Sequence, residues 1–386
     1  MFRPPYRVSA RRRSARARWL PLVLALVAAM ITSCASFPDT GPRQWRDKPE
    51  DGGPLAAPPR VPENAPESER EQPPSQPGQA VPNGCVDPDP QVVATCLSPL
   101  SAVAVLPDPE SALVAERASG RILRVQKGKE PQVVATVPVD PAGGGLIGLV
   151  LSPSYVDDQL LYALAATGSD RRVLRIAPGD PPTPVLTGIP RAGDDSGALG
   201  VGKDGALLVA TGGSGGLGGK LLRIDTFGHP FKDNPDPRSP VYSTGLRSPS
   251  GLCTAPDSGT VWVTDRFPER DVLHRITPGQ LGDPAWSWPD RPGVAGCVAP
   301  PGALAIAERG ASALFLLRMS APTAFTGTPQ QTLGGAYGRL GPTALAPDGL
   351  IWLGTTNKGA GGPTVSSDDR AIRIQPPSGG GGSGPD

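Results

Sequence analysis

Two kinds of residue that often carry chemistry are scarce in this chain. Among its 386 residues are only two histidines, and aromatic residues make up 5% of the sequence. The two histidines, His229 and His274, are too few for a zinc site built from several imidazoles. A strongly basic character is lacking as well, because the formal net charge is +1. Nucleic acid is therefore excluded as an expected partner, since phosphate binding needs a basic footprint.

Long apolar runs and helical periodicity are also absent beyond the N-terminus. There an arginine-rich segment precedes the apolar run 19–31, which is shorter than the roughly 20 residues that a membrane-spanning helix needs. The run ends in Ile31-Thr-Ser-Cys34, which matches a bacterial lipobox. We therefore expect residues 1–33 to be a cleaved lipoprotein signal peptide. Acyl chains on Cys34 would then anchor the protein to the outer face of the plasma membrane. The alternatives are an ordinary signal peptide or a short anchor.

Residues 34–84 contain hardly any large apolar side chains and are rich in proline and charged residues. Such a segment cannot bury enough surface to offset the entropy of ordering, so it is predicted to be a disordered tether that begins at the lipidated Cys34. The glycine-rich residues 377–386 are predicted to be a flexible tail. One large folded domain is expected between them, over residues 85–376.

Four cysteines remain once Cys34 is set aside. An even number outside the cytoplasm indicates two disulfides, and four cysteines allow three pairings. The favoured pairing joins Cys85 to Cys96 and Cys253 to Cys297. Free buried thiols are the alternative for some of them.

A short pattern of apolar residues around an arginine recurs six times, at a spacing of about 40–55 residues. Its arginines are Arg124, Arg175, Arg223, Arg275, Arg318 and Arg373. Upstream of most copies, two apolar strands flank a turn such as Lys203-Asp204-Gly205. Six repeats of short strands predict an all-β, six-bladed β-propeller, because stacked blades bury faces that single blades leave open. A β-sandwich is the alternative, although it does not predict so regular a period.

The segment Gly213-Ser-Gly-Gly-Leu-Gly218 satisfies the G-x-G-x-x-G pattern of dinucleotide-binding sites. The residues that follow it, 220–224, have the pattern of a strand, so no helix N-terminus is available to cradle a pyrophosphate. A loop between two strands is the better interpretation.

The remaining polar and aromatic candidates each have an ordinary structural explanation. His274 lies inside a strand pattern and is expected to be packed, whereas His229 is expected in a loop. The acidic segments 233–236 and 265–271 offer oxygen ligands for calcium, but such segments are more often solvated turns. Trp286, Trp288 and Tyr337 could stack on a sugar or pack between blades.

Several strings in the second half of the chain resemble one family. They are residues 219–225, residues 245–252, the Trp286-Ser-Trp-Pro289 segment and the Gly338-Arg339 segment. In this order they are similar to strings of the soluble quinoprotein glucose/sorbosone dehydrogenases, and within that family to actinobacterial envelope lipoproteins of the LppZ type. The resemblance extends over residues 100–374 and implies a six-bladed propeller, the fold that the repeat count indicates independently.

The family binds pyrroloquinoline quinone (PQQ) on the propeller face, beside a calcium ion, and a histidine removes the proton of a sugar hydroxyl. By the resemblance, Arg247 and Arg339 match two arginines that contact the quinone. Phe267 and Pro268 fall where backbone carbonyls would hold calcium, with Phe267 in place of a glycine. The resemblance thus implies PQQ and calcium as cofactors.

The departures from the family pattern cluster at this same site. Asp194 stands in place of the catalytic histidine. Four further positions have lost polar family residues: Gly143, Ala198, Ser248 and Gly341. A carboxylate has an ordinary pKa of about 3.9, against about 6.5 for imidazole, and would need burial to act as a base near neutral pH.

Two functions therefore remain open. The preferred one is a binding or scaffold propeller in the cell envelope that recognises a sugar, a glycan or an envelope protein. The alternative is a divergent PQQ-dependent aldose or alcohol dehydrogenase with Asp194 as its base. Fold alone does not choose between them, since propellers carry many unrelated activities.

Overall fold

The computed structural model describes residues 84–191, 196–321, 324–359 and 364–376. They form six sheets arranged as blades around a central channel, which confirms the predicted all-β, six-bladed propeller. The signal peptide, Cys34, most of the tether and the tail lie outside the described residues and stay predictions. No helix among the described residues is long and apolar enough to cross a membrane.

Strands of two to nine residues build the blades. In chain order the first thirteen are β1 Val92–Ala94, β2 Leu100–Val105, β3 Ser111–Glu116, β4 Arg121–Gln126, β5 Gln132–Thr136, β6 Leu146–Leu151, β7 Leu161–Ala166, β8 Arg171–Ile176, β9 Thr183–Ile189, β10 Ala198–Val201, β11 Leu207–Ala210, β12 Lys220–Ile224 and β13 Val241–Thr244. The others are β14 Pro249–Thr254, β15 Val261–Arg266, β16 Asp271–Arg275, β17 Gly279–Gln280, β18 Trp286–Trp288, β19 Val294–Val298, β20 Ala303–Glu308, β21 Ala313–Ala321, β22 Ala324–Thr332, β23 Leu340–Leu345, β24 Ile351–Thr355 and β25 Ala371–Ile374. Among the described residues, helix is limited to the single turn α1, Tyr155–Asp158, and a 3-10 turn at Pro141–Gly143.

The innermost strands of blades 1 to 6 are β2, β6, β10, β14, β19 and β23. They line the channel and all run in the same direction, so the channel has two distinct ends. We call the face at which these strands begin the upper face and the opposite one the lower face. Within the blades, neighbouring strands are antiparallel, apart from the pair formed by β13 and β17.

The ring is closed by residues from both ends of the folded domain. Strand β1 pairs with β25 and becomes the outermost strand of blade 6. The Cys85–Cys96 disulfide fastens this N-terminal segment to itself, and the Arg370 Nε lies 2.9 Å from Asp87 Oδ2. Removing the segment would therefore leave blade 6 with an open edge.

A hydrophobic cluster lies between each pair of neighbouring blades. Its largest fully buried members include Trp262 and Trp352. Burying a large apolar side chain contributes about 1.5–3 kcal/mol, so the ring is held together mainly at these junctions. Between blades 4 and 5 the Cys253–Cys297 disulfide adds a covalent link between inner strands. Both disulfides join the cysteines that the sequence favoured.

The recurring arginine marks the third strand of every blade: β4, β8, β12, β16, β21 and β25. In two blades its structural role is plain. Arg223 pairs with Asp204, and Arg373 pairs with Asp348, each aspartate lying in the turn between the first two strands of the same blade. In these two blades the repeat arginine therefore links the third strand to the turn on the lower face.

Candidate functional site

The upper end of the channel is where the sequence-predicted site residues meet. The first strands of blades 4 and 6 begin at Pro249 and Leu340, and the loops entering them carry Arg247 and Arg339. Strand β15 ends beside Pro249, so the loop with Phe267 and Pro268 lies on the same face. We call this region the mouth.

A buried carboxylate holds the backbone at Arg247. Asp265 has no exposed surface, and its two oxygens accept from the Arg247 N–H at 2.9 Å and the Ser248 N–H at 2.6 Å. Burial raises the pKa of Asp265 to about 6, although the backbone donors act against this rise. The Arg247 guanidinium itself is exposed and has no hydrogen-bond or ion-pair partner among the described residues. Its main chain is thus fixed, while its charge faces outward.

Arg339 is anchored in a similar way. Its N–H donates to the Asn357 Oδ1 at 2.7 Å, and its carbonyl accepts from the Thr356 N–H at 3.0 Å. The side chain is half-buried, and its Nε is buried with no hydrogen-bond partner in the described part of the chain. Among the residues described, no hydrogen bond or ion pair engages the Arg339 guanidinium, so it keeps donors that a ligand with acceptor oxygens could use.

The proposed calcium loop has its carbonyl oxygens available. The Phe267 N–H donates to the Arg270 carbonyl at 2.9 Å, and no donor in the described ranges reaches the carbonyl oxygens of Phe267 or Pro268. The backbone at Phe267 does not adopt a left-handed conformation, so a side chain is tolerated where the family has glycine. The described residues contain no group of three or more acidic, histidine or cysteine side chains placed to hold a metal. Any calcium here would rely on main-chain oxygens.

Asp194 lies outside the described residues, but the residues on both sides of its loop are defined. Arg171 is buried; its Nη1 donates to the Ser196 carbonyl, and its Nη2 donates to the Gly143 carbonyl at 3.2 Å. Arg171 was not singled out from the sequence, because its two partners lie 25 and 28 residues away. The sequence feature that could have drawn attention to Arg171 is its position next to Arg172 at the start of β8.

Two of the positions that departed from the family pattern are tightly packed. A Cβ on Gly143 would lie 2.8 Å from Nη2 of Arg191, and one on Gly341 would lie 2.8 Å from Cγ2 of Thr356. Arg191 is held there by an ion pair with Asp140 at 2.7 Å. Larger polar side chains at these glycines would require their neighbours to move.

Neither histidine reaches the mouth. His229 is exposed in a loop of blade 3, where its Nδ1 lies 3.1 Å from the Asp225 Oδ2. His274 is buried between blades, with its Nε2 3.7 Å from the Asp265 Oδ2. Burial, reinforced by the positive charge of Arg270, lowers the pKa of His274 to about 4. At neutral pH this imidazole is uncharged, and it is buried below the mouth, beside Asp265 and with its ring centroid 6.2 Å from that of Phe267.

The glycine-rich segment and the aromatic candidates have structural roles. Residues 211–219 form the loop between β11 and β12, and the Gly213 N–H donates to the Arg247 carbonyl at 2.9 Å, so the loop borders the mouth without preceding a helix. Trp288 packs edge-on against Phe315 at 5.3 Å. Tyr337 is buried, and its hydroxyl bonds the Asp89 carboxylate at 2.6 Å. The aromatic residues thus pack between structural elements instead of forming an exposed sugar platform.

Comparison with known proteins agrees with this geometry. The model of the glucose/sorbosone dehydrogenase family matches residues 97–291. An aldose sugar dehydrogenase from Streptomyces coelicolor, solved with PQQ bound, is 31% identical over 74% of this chain and 96% of its own, with a TM-score of 0.68. An oxidoreductase of the glucose dehydrogenase type from Thermus thermophilus is 28% identical over 73% of this chain and 98% of its own, with a TM-score of 0.66.

A soluble aldose sugar dehydrogenase from Escherichia coli, solved without cofactor, shares the fold at 20% identity, covering 74% of this chain and 99% of its own with a TM-score of 0.62. Curated proteins yield no significant match. Family model, identity and coverage together show that this chain belongs to the glucose/sorbosone dehydrogenase family.

Proposed function

We propose that the protein is a lipoprotein of the cell envelope whose propeller is a binding or scaffold module that has lost the family's histidine-based oxidation. The lipobox at Cys34 and the tether support a position outside the cytoplasm, anchored to the plasma membrane. The same features favour a place among actinobacterial envelope lipoproteins of the LppZ type. The module's ligand would be a sugar, a glycan or an envelope protein, bound at the mouth.

One observation carries this proposal: the protein has two histidines, and neither presents its imidazole at the surface of the mouth, since His229 is in another loop and His274 is buried. Proton removal from a sugar hydroxyl near neutral pH needs a base with a suitable pKa within hydrogen-bond reach. His229 is exposed in a distant loop, and His274 is enclosed behind Asp265. The packing at Gly143 and Gly341 adds support, because Arg191 and Thr356 lie where larger side chains would begin and would have to move to admit them.

The residues present nevertheless fit the acidic groups of PQQ. Arg247 faces outward without a partner, and Arg339 has a buried Nε without an acceptor. Both guanidinium groups could bind carboxylates through charge-assisted hydrogen bonds. The carbonyls of Phe267 and Pro268 would be available to calcium. When bound, the quinone would supply an acceptor for two electrons. PQQ is therefore the first ligand to test, whether or not turnover follows.

A working but divergent dehydrogenase is the second candidate. Its support is the pair of available arginines, together with 31% identity to an aldose sugar dehydrogenase that binds PQQ. In this function Asp194 would take the proton of an aldose or alcohol hydroxyl. Its carboxylate would need a pKa raised well above about 3.9 to do so near neutral pH.

The experiment that separates the two functions uses the full chain in detergent. It is titrated with PQQ and calcium, followed by absorbance and calorimetry, and then supplied with a panel of aldoses and an artificial electron acceptor. Binding without turnover is the expected result. Turnover that Asp194→Asn abolishes would overturn the proposal in favour of the dehydrogenase. An absence of PQQ binding at high micromolar concentration would leave the mouth as a recognition surface for another ligand.

A further inference from the structure

A second groove lies on the lower face, away from the mouth, where blades 3 and 4 meet. It has a volume of about 530 Å³. Its walls are the turns around Lys203 and Ser258 and the third strands that carry Arg223 and Arg275, with Tyr242 at one side. We call it the lower groove. The family resemblance assigns no role to it.

The groove is held in shape by links between the two blades. Strand β17 leaves blade 4 and pairs in parallel with β13 of blade 3, so blade 3 has a fifth strand. The Lys203 Nζ donates to the Asp257 carbonyl at 2.6 Å, and the Ser243 hydroxyl donates to the Thr277 carbonyl. A cleft fixed in this way needs little reorganisation on binding, which favours affinity.

Positive charge exceeds negative charge along its walls. Three of the lining residues, Lys203, Arg223 and Arg275, are cationic, and Asp204 is the lining residue that opposes them. Asp204 forms an ion pair with Arg223. The Arg223 guanidinium also stacks over the rings of Phe231 at 4.5 Å and Tyr242 at 5.2 Å. Within the described residues the exposed Arg275 side chain has no partner. The groove thus presents Arg275 and Lys203 as available cations.

Hydroxyl groups lie beside these cations. Tyr242 and Thr277 both line the groove, and their hydroxyls make no hydrogen bond to any residue that the structure describes. A tyrosine and a threonine hydroxyl can each donate to and accept from a polyol. Cations next to hydroxyls that are not engaged by the protein match a ligand that combines a phosphate with a sugar or polyol ring.

We propose that the lower groove binds a phosphate-bearing sugar or polyol. Its phosphate would lie against Arg275 and Lys203, and its hydroxyls would bond Tyr242 and Thr277. Such a ligand could be a free sugar phosphate or the headgroup of a phosphorylated lipid. This proposal is independent of PQQ, because the groove and the mouth are on opposite faces.

The test uses the full chain in detergent and two probes. Glucose 6-phosphate is titrated by calorimetry, with glucose as the neutral comparison. In parallel, glycerophosphoinositol 4-phosphate, the soluble headgroup of a phosphorylated lipid, is titrated with glycerophosphocholine as its net-neutral comparison, because vesicles would take up the acyl chains on Cys34 whatever their headgroup. We expect one or both phosphate probes to bind and the neutral probes to bind at least about tenfold more weakly, since they lack the charge-assisted bonds.

Variants identify the groove as the site. Arg275→Gln should weaken binding about tenfold through the loss of one charge-assisted bond, and Tyr242→Phe should weaken it about threefold. Arg318→Gln is the matched control, because Arg318 holds the same repeat position in blade 5, is exposed and lies outside the groove. Neither Arg275→Gln nor Arg318→Gln should change PQQ binding. The proposal is overturned if neither phosphate probe binds, or if Arg275→Gln and Arg318→Gln have equal effects.

Discussion

Arginines on the two faces of this propeller have different roles. On the lower face, Arg223 and Arg373 each pair with an aspartate of their own blade. On the upper face, Arg247 and Arg339 have their main chains fixed by hydrogen bonds while their guanidinium groups lack acceptors in the described chain. A paired arginine stabilises the blade that carries it. An arginine whose backbone is held but whose charge is unmatched is arranged for something outside the chain.

The comparison also shows why residue identity is a poor guide to role here. Arg275 and Arg318 occupy the same repeat position as Arg373, yet both are exposed, and neither has a partner among the described residues. In blade 5 the corresponding turn is Pro300-Pro-Gly302, which offers no carboxylate. The loss of the turn carboxylate explains the unpaired Arg318, whereas the turn of blade 4 keeps Asp257 and Arg275 is still unpaired within the described ranges.

The largest effect is expected at the support of the upper face. Asp265→Ala leaves the N–H groups of Arg247 and Ser248 without their acceptor, so the free energy of unfolding should fall by about 2–4 kcal/mol. PQQ binding should be lost together with it. Urea denaturation and PQQ titration measure both effects. Asp348→Ala on the lower face is the control and should cost less than about 1 kcal/mol. Similar losses from the two variants would remove the distinction between the faces.

The second prediction is a loss of PQQ affinity with little change in the stability of the fold. Arg247→Ala should weaken PQQ binding more than tenfold, since a charge-assisted contact is lost, and Arg339→Ala should do the same. The melting temperature should stay within about 2 °C for Arg247→Ala, because its exposed side chain contacts no partner within the described ranges. Calorimetry and thermal unfolding test this. Unchanged PQQ affinity in both variants would contradict the role given to the mouth.

A third prediction concerns pH and the buried histidine beneath Arg247. The folded-state pKa of His274 is about 4, below its ordinary value of 6.5. Between these two values the unfolded state binds more protons at this residue, so its contribution to the unfolding free energy rises with pH. His274→Gln removes that contribution. The wild type should therefore gain stability relative to the variant as the pH rises from 4 to 6.5, and the difference should then level off.

Urea denaturation of both proteins across this pH range measures the difference directly. The raised pKa of Glu308 is common to both proteins and cancels. Asp265 lies 3.7 Å from His274 and has a pKa of about 6, so it is replaced by asparagine in both proteins to keep its titration out of the difference. Parallel stability curves for wild type and variant would show that His274 has an ordinary pKa in the folded protein.

The smallest effect is expected among the arginines of the lower face. Arg373→Gln breaks a partly exposed ion pair with Asp348 and should reduce stability by about 0.5–1 kcal/mol. Arg318→Gln should change stability by less than about 0.3 kcal/mol, because no ion pair is lost. Denaturation curves recorded side by side test the difference. Equal effects would mean that the repeated ion pair does not stabilise the blade.

Much of the fold could be predicted from short-range patterns in the sequence. The six arginine-centred repeats coincide with the third strand of each blade, and the favoured cysteine pairs are the two disulfides. Arg247 and Arg339 lie on one face of the ring, and their role as quinone contacts stays a prediction. Asp194 falls outside the described residues, so its role stays a prediction. Three contacts could not be predicted from neighbouring residues in the sequence. They are the hydrogen bond from Arg247 to Asp265, the packing of Arg191 against Gly143 and the hydrogen bonds of Arg171.

Strand identity, turn position and repeat number follow from short-range preferences, because apolar periodicity and Gly, Pro and Asp turns act over a few residues. Those features were enough to specify a ring of six blades. The burial and pairing of each charged group depend on contacts that form only when the six blades assemble. Burial and the arrival of partners from other loops determine whether a carboxylate is desolvated, as at Asp265, or an arginine is matched, as at Arg373. The fold could therefore be predicted from the sequence, whereas the roles of its arginines could not.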